Sequence, residues 1–131
     1  KEALAWQTKR VLGDPSRPFK AVLFLATLYF RNGDNRNAER LYVELLNQDP
    51  YSWSVRSALG ELYRSEKRWE EARNQLEVVV RYFPVAGPSE YIYLAEVYRK
   101  MGRIKDAEYC LLRGKKLFPD AAPLFHSQGL D

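Results

Sequence analysis

Pro15, Pro50, Pro84 and Pro119 fall at intervals of 35, 34 and 35 residues. Other marks keep the same step. Leu25-Ala26-x-x-Tyr29, Leu59-Gly60-x-x-Tyr63 and Leu94-Ala95-x-x-Tyr98 form one series. Ala38-x-x-x-Tyr42, Ala72-x-x-x-Leu76 and Ala107-x-x-x-Leu111 form a second. A sequence that repeats its apolar marks at such a period builds one small supersecondary unit several times over. No unit of this size buries its apolar face alone, so neighbouring copies must stack in an unbroken row.

Within each period the apolar residues follow a helical spacing, and Gly, Pro and Asp punctuate them. Glu2 to Leu12 reads as a helix stopped by Gly13-Asp14-Pro15. Ser16 is expected to cap the next helix, with Pro18 in its first turn, running to about Asn32. Gly33 permits a left-handed C-cap, and Asp34 caps a helix over about Asn35 to Asn47. Further pairs are expected at Ser52 to Ser65 with Trp69 to Tyr82, and at Glu90 to Lys100 with Ile104 to Leu117. Ala122 to Leu130 reads as one more first helix, with Gly129 in the slot of Gly60. No β pattern competes: Val78-Val79-Val80 lies inside a helix-period segment.

The marks resemble the tetratricopeptide repeat across essentially the whole chain. The resemblance implies an all-α fold, an α-solenoid of antiparallel helix pairs in a right-handed superhelix. It divides the chain into the second helix of a truncated repeat (1–18), three repeats (19–52, 53–87, 88–121) and the start of a further first helix (122–131), together one repeat domain cut from a longer array. In such repeats the small residues Ala26, Gly60 and Ala95 lie where paired helices cross closely, as do Ala38, Ala72 and Ala107. Large neighbours such as Tyr29, Tyr63 and Tyr98 fill the space beside them. Four residues depart from the pattern. Arg56 stands where an aromatic residue is usual, Lys67-Arg68 replaces the turn glycine, and Gly114 stands where alanine is common, at about 1 kcal/mol of helix propensity.

The resemblance further implies a concave surface, lined by the first helices, that binds a protein or peptide. Its candidate residues here are Leu23, Thr27, Phe30 and Arg31, then Ser57, Glu61 and Arg64, then Ile92, Glu96 and Arg99. Glu61 with Arg64, and Glu96 with Arg99, have the i, i+3 spacing of local ion pairs, which adjacent helices would extend into a polar ladder. Ser54, Ser57 and Ala58 make a shallow dent between Leu23, Phe24 and Phe30 on one side and Ile92 and Tyr93 on the other. Phe24 and Tyr93 are expected to pack between repeats. The carboxylate clamp of co-chaperone members, a lysine and an asparagine on successive first helices, is missing. Leu23, Thr27, Ala58, Ser89 and Tyr93 occupy those slots.

Charge and composition narrow the rest. The net charge of +4 is spread along the chain with acids interleaved, a pattern of solvated helix faces. No apolar run approaches the ~18 residues of a membrane span. The single cysteine, Cys110, lies among apolar residues and reads as a buried, inert thiol that excludes an internal disulfide. With one histidine, His126, no metal set or catalytic constellation forms, and no phosphate-binding glycine loop is present. The chain therefore reads as a non-enzymatic interaction scaffold without cofactors; its cellular setting is left open, the cytoplasm being favoured over the bacterial periplasm. Two other readings stand beside it. One is RNA binding by the basic third repeat (Arg99, Lys100, Arg103, Lys105, Arg113, Lys115, Lys116) with Tyr91, Tyr93 and Tyr98 as stacking platforms, although nucleic acid is the less favoured partner. The other is self-association through exposed ends around Trp6, or around Phe118 and Phe125.

Overall fold

The computed structural model describes residues 2–126. Every regular element among them is helical. The chain divides into two compact units, Lys1–Ala58 and Leu59–Asp131. The first holds α1 (Glu2–Leu12), α2 (Phe19–Arg31) and α3 (Asn35–Gln48), and α4 (Trp53–Ser65) begins within it. The second holds the rest of α4, then α5 (Trp69–Tyr82), α6 (Pro88–Lys100) and α7 (Ile104–Leu117). A 3-10 turn, Pro119–Ala121, and the short α8 (Ala122–His126) follow.

In the first unit α2 packs against both α1 and α3. Its core is formed by Val11, Val22, Leu25, Ala26, Tyr29, Ala38, Leu41, Tyr42, Leu45 and Val55. Hydroxyl pairs stitch the helices at the edge of that core: Thr8 with Tyr29 at 2.9 Å, and Thr27 with Tyr42 at 3.1 Å. Arg17 in the α1–α2 turn reaches Glu44 of α3 at 2.9 Å. The expected Ser16 cap does not form. The Asp14 carboxylate accepts both the Ser16 amide, at 2.9 Å, and its hydroxyl, at 2.8 Å. That tight local turn occupies the hydroxyl, so α2 begins after Pro18 without a side-chain cap.

In the second unit α6 packs against α5 and α7. Leu59, Leu62, Tyr63, Ala72, Leu76, Val79, Tyr91, Leu94, Ala95, Val97, Tyr98, Ala107, Cys110, Leu111 and Phe125 are buried. Gly60 marks the closest crossing: a Cβ there would lie 2.6 Å from Leu76 Cγ on α5. α6 starts at Pro88, two residues before the expected Glu90, because proline has no amide to leave unsatisfied in a first turn.

The same turn joins the two helices of each pair. Gly33 and Gly102 adopt φ of 82° and 79°, and Lys67 adopts 61° at the equivalent place. The next residue donates its amide to the carbonyl of the helix-end tyrosine: Asp34 to Tyr29 at 2.9 Å, Arg68 to Tyr63 at 2.8 Å, Arg103 to Tyr98 at 2.8 Å. Asp34 then caps α3, accepting from the Asn37 amide at 3.2 Å. Arginine cannot accept, so Arg68 and Arg103 stabilise the turn differently. Their guanidinium groups lie 4.4 Å and 4.7 Å over the rings of Tyr63 and Tyr98. They also pair with Glu71 at 2.6 Å and Asp106 at 2.8 Å.

Gly114 is not a flaw in α7. A Cβ there would lie 2.5 Å from the Phe125 ring and 2.9 Å from Tyr91 Cβ. The missing side chain is the hole into which α8 inserts Phe125, which is wholly buried. Phe125 is therefore core rather than part of an exposed end, and the expectation that it offers a sticky end face is corrected. The reading of Gly129 lies outside the described residues.

Two stability tests follow from these contacts. Gly114→Ala should lower stability although alanine gains about 1 kcal/mol in helix propensity, because overpacking costs roughly 1–3 kcal/mol. In a Phe125→Ala background the loss should shrink, leaving only the contact with Tyr91 Cβ, as thermal unfolding followed by circular dichroism will show. Lys67→Gly should raise stability by about 1 kcal/mol by removing a side chain from the left-handed region.

Candidate functional site

The first-helix residues singled out in the sequence fall in both units, and each unit presents its own face. In the first unit, Leu23, Phe30 and Ser57 are half-buried and Arg31 is exposed. Thr27 is turned inward. Its hydroxyl contacts the Leu23 carbonyl at 3.0 Å as well as the Tyr42 hydroxyl, so it ties α2 to α3. Ser57 also has a partner. Phe24, expected to pack between repeats, is 53% exposed. It sits one position from Leu23 and one turn before Thr27, and belongs with the candidate residues. No local signal separated it from the buried apolar positions around it.

In the second unit, Glu61, Arg64, Ile92, Glu96 and Arg99 are half-buried. The structure brings Arg64, Tyr93 and Glu96 together. Arg64 Nη1 meets Glu96 Oε1 at 3.0 Å and Oε2 at 3.3 Å. Its guanidinium lies 4.4 Å over the Tyr93 ring. The ion pair therefore runs from α4 to α6, rather than along α4 to Glu61 three residues back. Among the described residues, no ion pair holds the Glu61 carboxylate. It lies near Tyr93, whose hydroxyl is pushed above its usual range first by burial and then by the charge of Glu61. A half-exposed pair of this kind is worth only about 0.2–1 kcal/mol in isolation. Its consequence is positional: stacking and the two-oxygen contact hold the cation in one place.

A second polar group lies on the other side of α6. The Tyr98 hydroxyl donates to Glu77, which also accepts from Arg73 at 2.8 Å. Burial first, and then this bond to a carboxylate, raise the Tyr98 pKa. Tyr91 is buried and donates its hydroxyl to the Pro84 carbonyl at 2.7 Å. Tyr91 and Tyr98 are thus core, and Tyr93 already carries Arg64 on its ring. The tyrosines that motivated a base-stacking surface are committed elsewhere.

Cys110 is buried, and its thiol donates to the Tyr91 carbonyl at 3.3 Å. Burial pushes its pKa from 9.0 up to about 12. Among the described residues, no group of three or more His, Cys, Asp or Glu side chains is placed to hold a metal ion. No helix there is long and apolar enough to cross a membrane.

The raised thiol pKa carries a sign that can be checked. A proton held more tightly in the folded state stabilises it below the unfolded value and is lost at higher pH. Stability of the wild type relative to Cys110→Ala should therefore fall as pH rises from 9.0 towards about 12. Denaturant titrations across that window measure the difference. The native thiol should also resist iodoacetamide at neutral pH and react once denaturant exposes it.

Comparison with known proteins places this arrangement. Residues 29–88 match the family model described as tetratricopeptide repeat. The human protein General transcription factor 3C polypeptide 3 is 23% identical over 111 residues, which is 85% of this chain but 12% of that protein. The crystal structure of MamA superposes with a TM-score of 0.79 at 20% identity, covering 89% of this chain and 67% of that one. The type III secretion translocator chaperone SycD of Yersinia enterocolitica gives 0.73 at 17% identity, covering 91% and 90%. At these identities the structural likeness speaks for the all-α, helix-pair solenoid fold alone. The repeat marks, the paired helices and the matched family model agree over residues 29–88, and that segment carries the tetratricopeptide repeat.

Proposed function

We propose that this chain is a non-enzymatic protein-interaction scaffold that holds a protein or peptide partner on the concave face formed by its first helices. The observation that carries this reading is the Arg64–Tyr93–Glu96 group. A cation fixed by stacking and by a carboxylate is a preorganised polar contact, which loses little side-chain entropy when a partner arrives. Glu61, Ile92 and Arg99 surround it with charge and apolar surface. In the first unit, Leu23, Phe24, Phe30 and Arg31 offer an apolar contact with a basic edge. SycD is a type III secretion translocator chaperone, and work of that kind on another protein fits this reading.

Retention of partners from a lysate of the source organism, with and without nuclease, tests the reading. An Arg64→Glu, Arg99→Glu, Phe30→Ala variant with native helicity should lose a protein that wild type retains after nuclease treatment. Retention that ignores the variant would remove these residues from the binding face. Retention abolished by nuclease, with a steep dependence on salt, would replace the reading with RNA binding.

A further inference from the structure

Two of the turns that join paired helices place glycine at the left-handed position, and the third places Lys67 there. A lysine in that region meets a steric hindrance that glycine escapes. A strained residue kept where an unstrained one would serve points to work done by its side chain. The Lys67 side chain is exposed. The α4–α5 turn that carries it lies at the same end of the second unit as the α6–α7 turn, because Arg64 in the last turn of α4 meets Glu96 near the end of α6.

Along this edge the arginines and the lysines are used differently. Arg68 holds Glu66 and Glu71, Arg103 holds Asp106, and Arg64 holds Glu96. Lys67, Lys100 and Lys105 are exposed, and they take part in none of the ion pairs found among the described residues. Glu108, one turn along α7 from Lys105, is in none of these pairs either. The edge therefore sets three lysines against a single uncommitted carboxylate. Ile104, between Lys100 and Lys105 in the chain, is 51% exposed.

The chemistry left available selects the occupant. A nucleic-acid strand is gripped by guanidinium forks on phosphate and by aromatic rings under the bases. Here the guanidinium groups of Arg64, Arg68 and Arg103 are bound to carboxylates and lie over the rings of Tyr93, Tyr63 and Tyr98. What the edge offers instead is ammonium groups around an exposed aliphatic side chain, which complements carboxylates with an apolar residue among them. We propose that the edge formed by the α4–α5 and α6–α7 turns binds an acidic segment of a partner protein, Lys67, Lys100 and Lys105 meeting its carboxylates and Ile104 its apolar residue. The surface shares no residue with the Arg64–Tyr93–Glu96 group, so either reading can fail without the other.

The test uses the whole chain and a labelled peptide of glutamates around a central leucine, with a labelled oligothymidylate of matched charge beside it. Anisotropy titrations should show the peptide binding wild type, with affinity falling as salt rises. Lys67→Gln, Lys100→Gln, Lys105→Gln together should weaken it roughly tenfold. A control that removes as much charge elsewhere, Lys9→Gln, Lys20→Gln, Lys116→Gln, should stay within about twofold. All six side chains are exposed, and circular dichroism verifies that the folds are kept. Lys67→Gly alone should bind about threefold more weakly while melting at a higher temperature, a pairing that a purely structural role for Lys67 would not produce. Absence of peptide binding by wild type at low salt overturns the proposal. Equal losses in the two triple variants overturn it by reducing the effect to net charge, and so does full affinity in Lys67→Gly. Tighter binding of the oligothymidylate, lost with the same three lysines, also overturns it, because the occupant is then a nucleic acid.

Discussion

Close approach between helices at small residues is the constraint on which the rest depends. A helix pair of this length has no core of its own, and its apolar faces become buried only if the axes come near enough for side chains to interdigitate. Gly60 against Leu76 shows how little room is left. Ala26, Ala38, Ala72, Ala95 and Ala107, all essentially inaccessible, hold the same kind of position. The tyrosines at the ends of the first helices fill the space that diverging axes leave, and their hydroxyls need partners once desolvated. The Tyr29 and Tyr98 bonds to Thr8 and Glu77 meet that need.

The turn between paired helices is the second constraint, and it shows one geometry supported by different chemistry. A left-handed residue and an amide returned to the tyrosine carbonyl recur each time. Glycine provides the conformation freely, whereas Lys67 adopts it against a steric penalty. Asp34 closes its turn by accepting an amide. Arg68 and Arg103 close theirs by covering an aromatic ring and pairing with an acid three residues on. Because this turn sets how each first helix meets its second, it also sets which first-helix side chains remain available at the surface.

Availability, rather than residue type, separates site from scaffold in this protein. Thr27 lies at a first-helix position but is bound inward, while Phe24 is open to solvent. Tyr91 and Tyr98 are aromatic and lie near many cations, yet both are enclosed. Tyr93 is reached by Arg64, which in turn is fixed by Glu96. The same holds on α7: Ala107, Cys110, Leu111 and Gly114 are buried, while Tyr109 and Leu112 stay exposed.

The sequence by itself determined the helices and their pairing. Gly, Pro and Asp act on the backbone within a residue or two, and apolar spacing reports which face of each helix turns inward. Both kinds of information are local and recur at each period, which is why α1, α5 and α7 lie where the pattern placed them. Tertiary structure alone decided the contacts between distant residues. Arg64 had Glu61 three positions away and Glu96 thirty-two positions away, and the nearness of α6 to α4 settled the choice. Gly114 looked like a weak point of α7 until Phe125 entered the space it leaves. Ser16 had the chemistry of a cap, but the Asp14 carboxylate was nearer. In each case several partners were chemically equivalent along the chain, and only distance in the folded state distinguished them.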